Sequence, residues 1–355
     1  MEIEFIPRFA KIKVIGLGGG GCNAVSRMVR EEVQGADLIA VNTDAQALLL
    51  TEAPFKVQIG ERLTKGLGVG GDPEIGRQAA EESRDRLQEL VSGADMVFVT
   101  TGMGGGTGTG AAPVLAELAK EAGALTVGIV TKPFLFEGAR RQDVALEGIA
   151  RLNEKADTVI IIPNERLLQI CGRDLLLENA FRMVDDVLRQ GVQAITEVVT
   201  VPGIINLDFA DVKAVMANAG PAWMAVGQAG GHSRAKEAAQ AALQSPLLDV
   251  SIEGAKSVLF TFTGNINQTT LYEVNEAAEL IKSAVDPEAN VIFGVVYDSK
   301  MGNEVRLTLI ATGFAAKRKA PLPSKEETHL FLRYLGEEDK LDTPTFLRQR
   351  PLRRQ

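Results

Sequence analysis

The sequence predicts a doubly wound, mostly parallel α/β sheet, then a long central helix, a smaller α+β second domain and a flexible C-terminal tail. Three observations carry this. Apolar strand, glycine-rich loop and helical segment alternate through the first half of the chain, the pattern of a parallel sheet with crossover helices. One apolar stripe runs through residues 175–200 at three- and four-residue steps, which marks a single long helix. Past Phe314 the core pattern stops.

Residues 11–16 (KIKVIG) read as a buried strand that runs into GLGGGG and the helical stretch NAVSRMVREEV. LIAVNTD (38–44) is a second strand, followed by a second glycine loop, GLGVGG (66–71). DPEIGRQAAEESRDRLQELV reads as one helix, with Asp72 as N-cap and Pro73 in its first turn. ADMVFVTTG (94–102) is a strand, GGGTGTG (104–110) a third loop, and AAPVLAELAKEAG a helix ending at Gly123. TVGIVTKPF and TVIIIPN add two strands. In the long helix Phe181, Val184, Leu188, Val192, Ile195 and Val199 form the stripe, which stops at Pro202-Gly203. Helices near 210–218, 234–244 and 270–284 and strands at 257–263, 290–297 and 304–311 complete the second domain. The expected boundaries are 1–174, 175–202 for the helix, 203–315, and 316–355 for linker and tail.

Composition narrows the chemistry. With 45% hydrophobic and 24% charged residues the chain is neither disordered nor fibrous. Glycine is in excess, 36 of 355, without a collagen period, so it is concentrated in loops. Two cysteines and two histidines leave no disulfide framework, Cys-rich zinc site or His-based triad to build. No signal peptide or membrane-spanning run is visible, so the expected location is cytoplasmic. Residues 317–355 hold ten Lys/Arg and six Asp/Glu, a balance of +4, which leaves −12 on the preceding 316 residues. An acidic body excludes general nucleic-acid binding.

The first loop matches G-x-G-x-x-G at Gly16, Gly18 and Gly21, with Asp44 ending the next strand. That pattern fits either a dinucleotide site, with Asp44 as ribose ligand, or a tight strand-to-helix turn with nothing bound. The loop at 104–110 shifts the balance: five glycines and two hydroxyls in seven positions cost backbone entropy that packing does not return. Something must lie against that backbone, and the hydroxyls point to a phosphate or its metal. There is no P-loop lysine motif. One nucleotide held by two or three glycine loops is the simplest reading. An NAD-dependent oxidoreductase rests on Gly16, Gly18, Gly21 and Asp44 alone, without a plausible catalytic histidine.

GGGTGTG between strand and helix resembles the signature of the tubulin/FtsZ superfamily. GMGGGTGTGAAPV, TKPF-x-FEG, IPN-x-RLL, VLRQGVQ and NLDFADV in this order resemble the bacterial FtsZ cell-division family, over residues 11–314 and again at DTPTFLRQR in the tail. The resemblance implies a GTPase domain that binds GTP/GDP with Mg²⁺. It also implies head-to-tail filaments that form the division ring at midcell beneath the membrane. Gly19, Gly20, Gly21, Cys22, Asn23 and Arg27 match the first nucleotide loop and its helix, with Asp44 beyond. Gly106, Thr107 and Gly108 match the phosphate loop, with Gly70 and Gly71 nearer the terminal phosphate. Thr131, Glu137 and Arg141 match nucleotide and ribose contacts, although Glu137 and Arg141 also read as an exposed ion pair. Phe181 matches the ring that stacks on guanine and Asp185 the carboxylate that reads its edge; the apolar stripe equally makes Phe181 a core residue.

Asn206, Asp208 and Asp211 match the family's catalytic loop, which enters the nucleotide pocket of the next subunit. Read alone, Asp208 and Asp211 are an N-cap and first-turn carboxylate of a solvated helix. A non-hydrolysing nucleotide-binding scaffold is the alternative within the same fold. The chain departs from the family pattern at GVQAITE, at 220–231, which holds the sole tryptophan, Trp223, and at Val69 and Asp72. The tail peptide, with Asp342, Pro344, Phe346, Leu347 and Arg348, resembles the segment that docks onto membrane-anchor and regulatory proteins. The linker from 317 to 340 spans roughly 25–30 Å as a flexible chain and contains the apolar run HLFLRYL.

Overall fold

Val14 and Ile15 are both fully buried although they point to opposite faces of one strand. Only a sheet covered on both sides allows this. The computed structural model describes residues 10–168, 176–200, 205, 207–245, 247 and 252–314. The tail peptide and linker, and Asn206, lie outside the described residues.

The chain runs β1 (Ile12–Leu17), α1 (Gly18–Arg30), β2 (Ala36–Asn42), α2 (Ala45–Leu50), β3 (Phe55–Gln58), α3 (Glu61–Thr64), α4 (Pro73–Glu82), α5 (Arg84–Val91), β4 (Met96–Gly102), α6 (Thr107–Glu121) and β5 (Leu125–Lys132). It continues through α7 (Ala139–Lys155), β6 (Thr158–Pro163), α8 (Asn164–Leu167) and α9 (Leu177–Thr200). The last elements are α10 (Phe209–Met216), β7 (Gly220–Gly230), α11 (Arg234–Leu243), β8 (Ser257–Gly264), α12 (Leu271–Ala284), β9 (Asn290–Tyr297) and β10 (Glu304–Thr312).

The strands form one ten-stranded sheet in the order β3-β2-β1-β4-β5-β6-β7-β10-β8-β9. It is parallel from β3 to β7, antiparallel around β10, and parallel again from β8 to β9. One face of the parallel part packs Val14, Phe98 and Ile129 against Val25 of α1 and Leu188 of α9. The other packs Ile15, Val99 and Val130 against Leu115 of α6 and Leu152 of α7. A third core joins β8 and β10 to α11 and α12 through Phe260, Phe262, Ala238 and Ile281.

Three readings need correction, and one strand, β7, is added to them. The segment 73–91 is two helices, broken at Ser83, whose hydroxyl accepts from Gly60 N at 3.0 Å. The first glycine loop is itself helical: α1 begins at Gly18, not after the glycines. Residues 220–230 form a strand, β7, which carries the sheet from the parallel half into the second half. Gly227 there has no space for a side chain, because a Cβ would overlap the carbonyl of Ala238 on α11. Phe181 leaves the apolar stripe: it is 41% exposed, while Val184, Leu188, Val192 and Ile195 are buried. Trp223 packs edge-on to Phe314, centroids 4.5 Å apart.

Helices α4 and α6 cross at glycines. A Cβ on Gly110 would overlap Pro73 O and lie 2.5 Å from Arg77 N. Gly110→Ala is expected to cost about 2 kcal/mol in denaturant unfolding, since the two backbones must separate. Gly105→Ala, with no atom within 4 Å of its Cβ, is expected to change stability by less than about 0.5 kcal/mol.

Candidate functional site

Strand order reverses between β2-β1 and β4-β5, and open α/β sheets bind ligands outside the carboxyl ends of the strands at such a point. Leu17, Gly102, Thr131 and Asn164, at or just past the carboxyl ends of β1, β4, β5 and β6, line a cavity of about 450 Å³ there.

Its floor is made of backbone. A Cβ on Gly18 would lie 2.9 Å from Gly108 N, one on Gly20 3.2 Å from Gly102 N, and one on Gly108 would overlap Thr101 Oγ1. Gly19 and Gly105 have no atom within 4 Å of a Cβ position and face open space. The glycines thus let α1 and α6 start against each other. Gly110 N donates to Gly106 O, so the amides before it have no intrahelical acceptor. Two helix amino ends with their positive dipole ends converge on this cavity, an arrangement suited to phosphate.

The two threonine hydroxyls of GGGTGTG, read as phosphate or metal ligands, have protein partners instead. Thr107 Oγ1 shares a hydrogen with the buried Thr43 Oγ1 at 2.7 Å, and Thr109 Oγ1 accepts from Gly104 N at 3.0 Å. They lock the loop's shape.

Of the residues named from the sequence, Gly19, Gly20, Asn23, Asp44, Gly70, Gly71, Gly106, Thr107, Gly108, Thr131, Glu137, Arg141, Phe181 and Asp185 line the cavity. Gly21, Cys22 and Arg27 do not. Gly21 presses on the sheet, where a Cβ would overlap Thr100 O. The Cys22 thiol is buried toward Gly16 O and Val41 O, and burial pushes its pKa up to about 11. Arg27, a turn further along α1, faces a smaller neighbouring cavity that shares Asn23 and Asp185, and pairs with Glu31 at 3.1 Å.

Asp44 caps α2: its Oδ1 accepts from Gln46 N at 2.9 Å and Ala47 N at 3.0 Å. The ribose role read from its place after β2 therefore competes with a cap. Glu137 and Arg141 do form an ion pair, at 2.8 Å, exposed on the Arg141 side only. The Glu137 side chain is 10% exposed and accepts from Phe134 N at 2.8 Å, whereas Arg141 is half exposed at the cavity. Phe181 meets Phe134 edge-on, centroids 5.6 Å apart.

Asp185 and Asp186 adjoin on α9 yet differ. Burial pushes Asp185 up to about 7, against the pull of the Arg27 guanidinium. Burial also acts on Asp186, but hydrogen bonds from Arg189 (2.8 Å) and Gln190 (2.6 Å) outweigh it and hold that carboxyl low. Asn164 was missed from the sequence. It lines the cavity, and its Oδ1 is buried with no hydrogen-bond partner, an acceptor that a donor-bearing ligand would satisfy. Its signal was a polar side chain just past a parallel strand.

Asp208 and Asp211 do not line the cavity. Helix α9 starts there with Phe181 and Asp185 and ends fifteen residues beyond Asp185, about 22 Å away, where Thr200 packs on Gly35 before the amino end of β2. Asp208 then opens α10 in the N-cap position, but its side chain makes no capping bond. Asp208 is thus an N-cap by position, with Asp211 in the first turn as the sequence reads them, and only the side-chain capping bond is missing.

A glycine-lined cavity at the switch point of a parallel sheet, with two helix amino ends aimed into it, defines a nucleotide-binding α/β protein. Residues 11–172 match the Tubulin/FtsZ family, GTPase domain, and residues 220–315 the FtsZ family, C-terminal domain. An empty FtsZ dimer from M. jannaschii is 47% identical with a TM-score of 0.83, covering 86% of this chain and 89% of that one. The GDP-bound CetZ1 monomer from Haloferax volcanii shares the fold at 22% identity and TM-score 0.75, covering 93% of this chain and all of that one. CetZ2 from the same organism, a GTPγS-bound protofilament, does so at 20% and 0.72, covering 92% and 98%. The chain belongs to the FtsZ family of the tubulin-like GTPases.

Asp185 offers a pH test with a definite sign. Its folded pKa lies above its ordinary value, so ionising it destabilises the folded, ligand-free chain as pH rises toward 7. Asp185→Asn is expected to stabilise the chain by about 2 kcal/mol more at pH 8 than at pH 5, read from denaturant unfolding at both values.

Proposed function

We propose that this chain hydrolyses GTP to GDP and phosphate and polymerises head to tail, each active site being completed by the next copy. The separation of the cavity from Asp208 and Asp211 along α9 carries this reading. Neither half of such a site is complete within one chain, and a head-to-tail contact joins them. That contact is heterologous and repeats without closing, which produces filaments.

The cavity's residues divide the ligand by chemistry. Asp185, as a carboxylate, accepts from both the N1–H and 2-amino donors of guanine, a pair that adenine lacks. Asn164 adds a second acceptor in the same cavity, and Phe181 stacks on the base. Glu137 and Arg141 hold the ribose. The amides of Gly106, Thr107 and Gly108 bind the phosphates at the start of α6, with Gly70 and Gly71 facing the terminal one. Asn206, Asp208 and Asp211 of a second copy orient and polarise the attacking water. The uncapped state of Asp208 leaves its carboxylate available for that.

Among the described residues no cluster of three or more His, Cys, Asp or Glu forms a metal cage. That fits a cation held mainly by phosphate oxygens with one or two carboxylates, as Mg²⁺ commonly is. Asp208 and Asp211 would be those carboxylates, and the ion would supply charge neutralisation on the phosphates.

Leu67, which lines the cavity, is 82% exposed, and Leu135 (65%) and Phe136 (64%) are exposed in the segment between the lining residues Pro133 and Glu137. A second copy covering the mouth would bury them. The empty dimer from M. jannaschii and the CetZ2 protofilament support self-association as this chain's mode of action. The assembly's role, on the same reading, is the division ring at midcell on the cytoplasmic side of the membrane. The tail peptide around Phe346 and Leu347 links it to membrane-anchor and regulatory proteins. Among the described residues no helix is long and apolar enough to cross a membrane.

GTP turnover per subunit, measured against protein concentration with Mg²⁺ in excess, is expected to be near zero when dilute and to rise above a threshold. Turnover that is substantial and flat down to the most dilute sample would place a complete site in each chain and sink the proposal. Asp211→Ala is expected to lower turnover by at least about 100-fold while GDP still protects the chain from thermal unfolding.

A further inference from the structure

The last turn of α9 lies between two glycines, one from each half of the molecule. A Cβ on Gly35, just before β2, would overlap Thr200 Oγ1, and a Cβ on Gly294 of β9 would overlap Val198 Cγ2. Val198 is buried in the core that α9 shares with the parallel sheet. A branched side chain in a filled core cannot swing aside, so any residue larger than glycine at 294 pushes the helix off the strand. Phe293 and Val295 pack with the third core, and alternation along the strand turns Gly294 toward α9. Strand β9 is outermost in the sheet, so one row of its backbone groups faces away from β8. In that row Val295 N donates to Ile205 O at 3.0 Å, an antiparallel bridge to the segment that follows α9. Asp208 comes three residues later, its backbone carbonyl accepting from Asp211 N at 2.9 Å and its side chain uncapped. Adjacent residues of one strand thus receive the end of α9 and the approach to both carboxylates.

We propose that Gly294 is a positioning residue for the hydrolysis. It lets Val198 lie against β9, and that contact, together with the bond from Val295 to Ile205, sets where Asp208 and Asp211 are presented to the cavity of the next copy. Gly294 itself does not line the cavity, so it acts only through the segment it seats. The leverage is steep, because misplacing a catalytic group by about 1 Å costs up to about 100-fold in rate. This inference rests on the reading of a site completed between copies, and it names what aims the donated carboxylates.

The test uses the full chain and reads two quantities: GDP affinity of the dilute protein, and GTP turnover per assembled subunit, with assembly followed by sedimentation. Gly294→Ala is expected to lower turnover per assembled subunit at least about tenfold and to leave GDP affinity unchanged. Adding Val198→Ala to it gives the new methyl group its space back, and this double variant is expected to recover most of the lost turnover. Counting only assembled subunits makes that recovery a matter of placement and not of stability. Val295→Pro removes the donor to Ile205 from the outer edge of β9, where proline is tolerated, and is expected to lower turnover by a similar factor. It decides the matter should Gly294→Ala not fold, as shown by loss of thermal protection by GDP. Turnover per assembled subunit that stays unchanged, that falls in step with GDP affinity, or that the double variant does not restore would overturn the proposal. Wild-type turnover that is flat with dilution would instead overturn the reading of a shared site, a result that wild-type chain gives by itself.

Discussion

Where α1 and α6 begin, two backbones meet with no side chain between them, and the architecture of the site depends on that contact. Gly18 approaches Gly108, Gly20 approaches Gly102, and Gly21 lies on Thr100. A methyl group on Gly18 would push the two helix starts apart, and one on Gly20 or Gly21 would lift α1 off β4; either moves the amides that make the cavity floor attractive to an anion. The same device recurs away from the cavity. Gly76 and Gly110 let α4 lie on α6, and Gly227 lets α11 lie on β7. A chain with only 5% aromatic residues packs by bringing main chains close together and lining them with alanine, valine, leucine and isoleucine. Its glycine excess is the cost of that strategy in the unfolded state.

Much of this was legible in the sequence, for reasons that are local. Asp72-Pro73 announced a helix start and the structure caps α4 with that aspartate. Val184, Leu188, Val192 and Ile195 announced a helix buried along one side, and they are buried. What escaped depends on distant partners. Ser83 breaks a helix because Gly60 needs its hydroxyl. Strand β7 was hidden because GPAWMAVGQAGG spends its side-chain volume to admit α11. Asp44 looked like a ligand from its place after a strand, but AQALLL gave no periodic hint of the short helix it caps. Phe181 kept the stripe's spacing while lying beyond the core's edge, where the stripe has only the cavity to face.

Helix α9 is the strut between the two halves. At its start Asp185 shapes the cavity. A chain of side-chain bonds then runs along it, from Asp186 through Arg189 and Gln193 to Glu197. Burial raises the pKa of Glu197, and Arg306 of β10 and Asp298 just past β9 act on it electrostatically. Thr261 of β8 donates to Ala194 O at 3.2 Å. The helix therefore touches the cavity, the parallel sheet and the second half through bonds as well as burial, and none of the three can shift far without the others.

The strut also gives the molecule a direction. The cavity lies on the carboxyl edge of the parallel strands, and the chain reaches Asp208 only after α9 has carried it to the amino edge. A stack in which Asp208 meets a cavity can be built in one sense only, because every subunit must point the same way. Its two ends are then unlike: one terminates in a cavity that no Asp208 has entered, the other in an Asp208 that faces no nucleotide. On the proposed head-to-tail contact, a stack of n copies contains one junction fewer than its cavities, which would leave the last nucleotide at one end without the chemistry proposed for the rest.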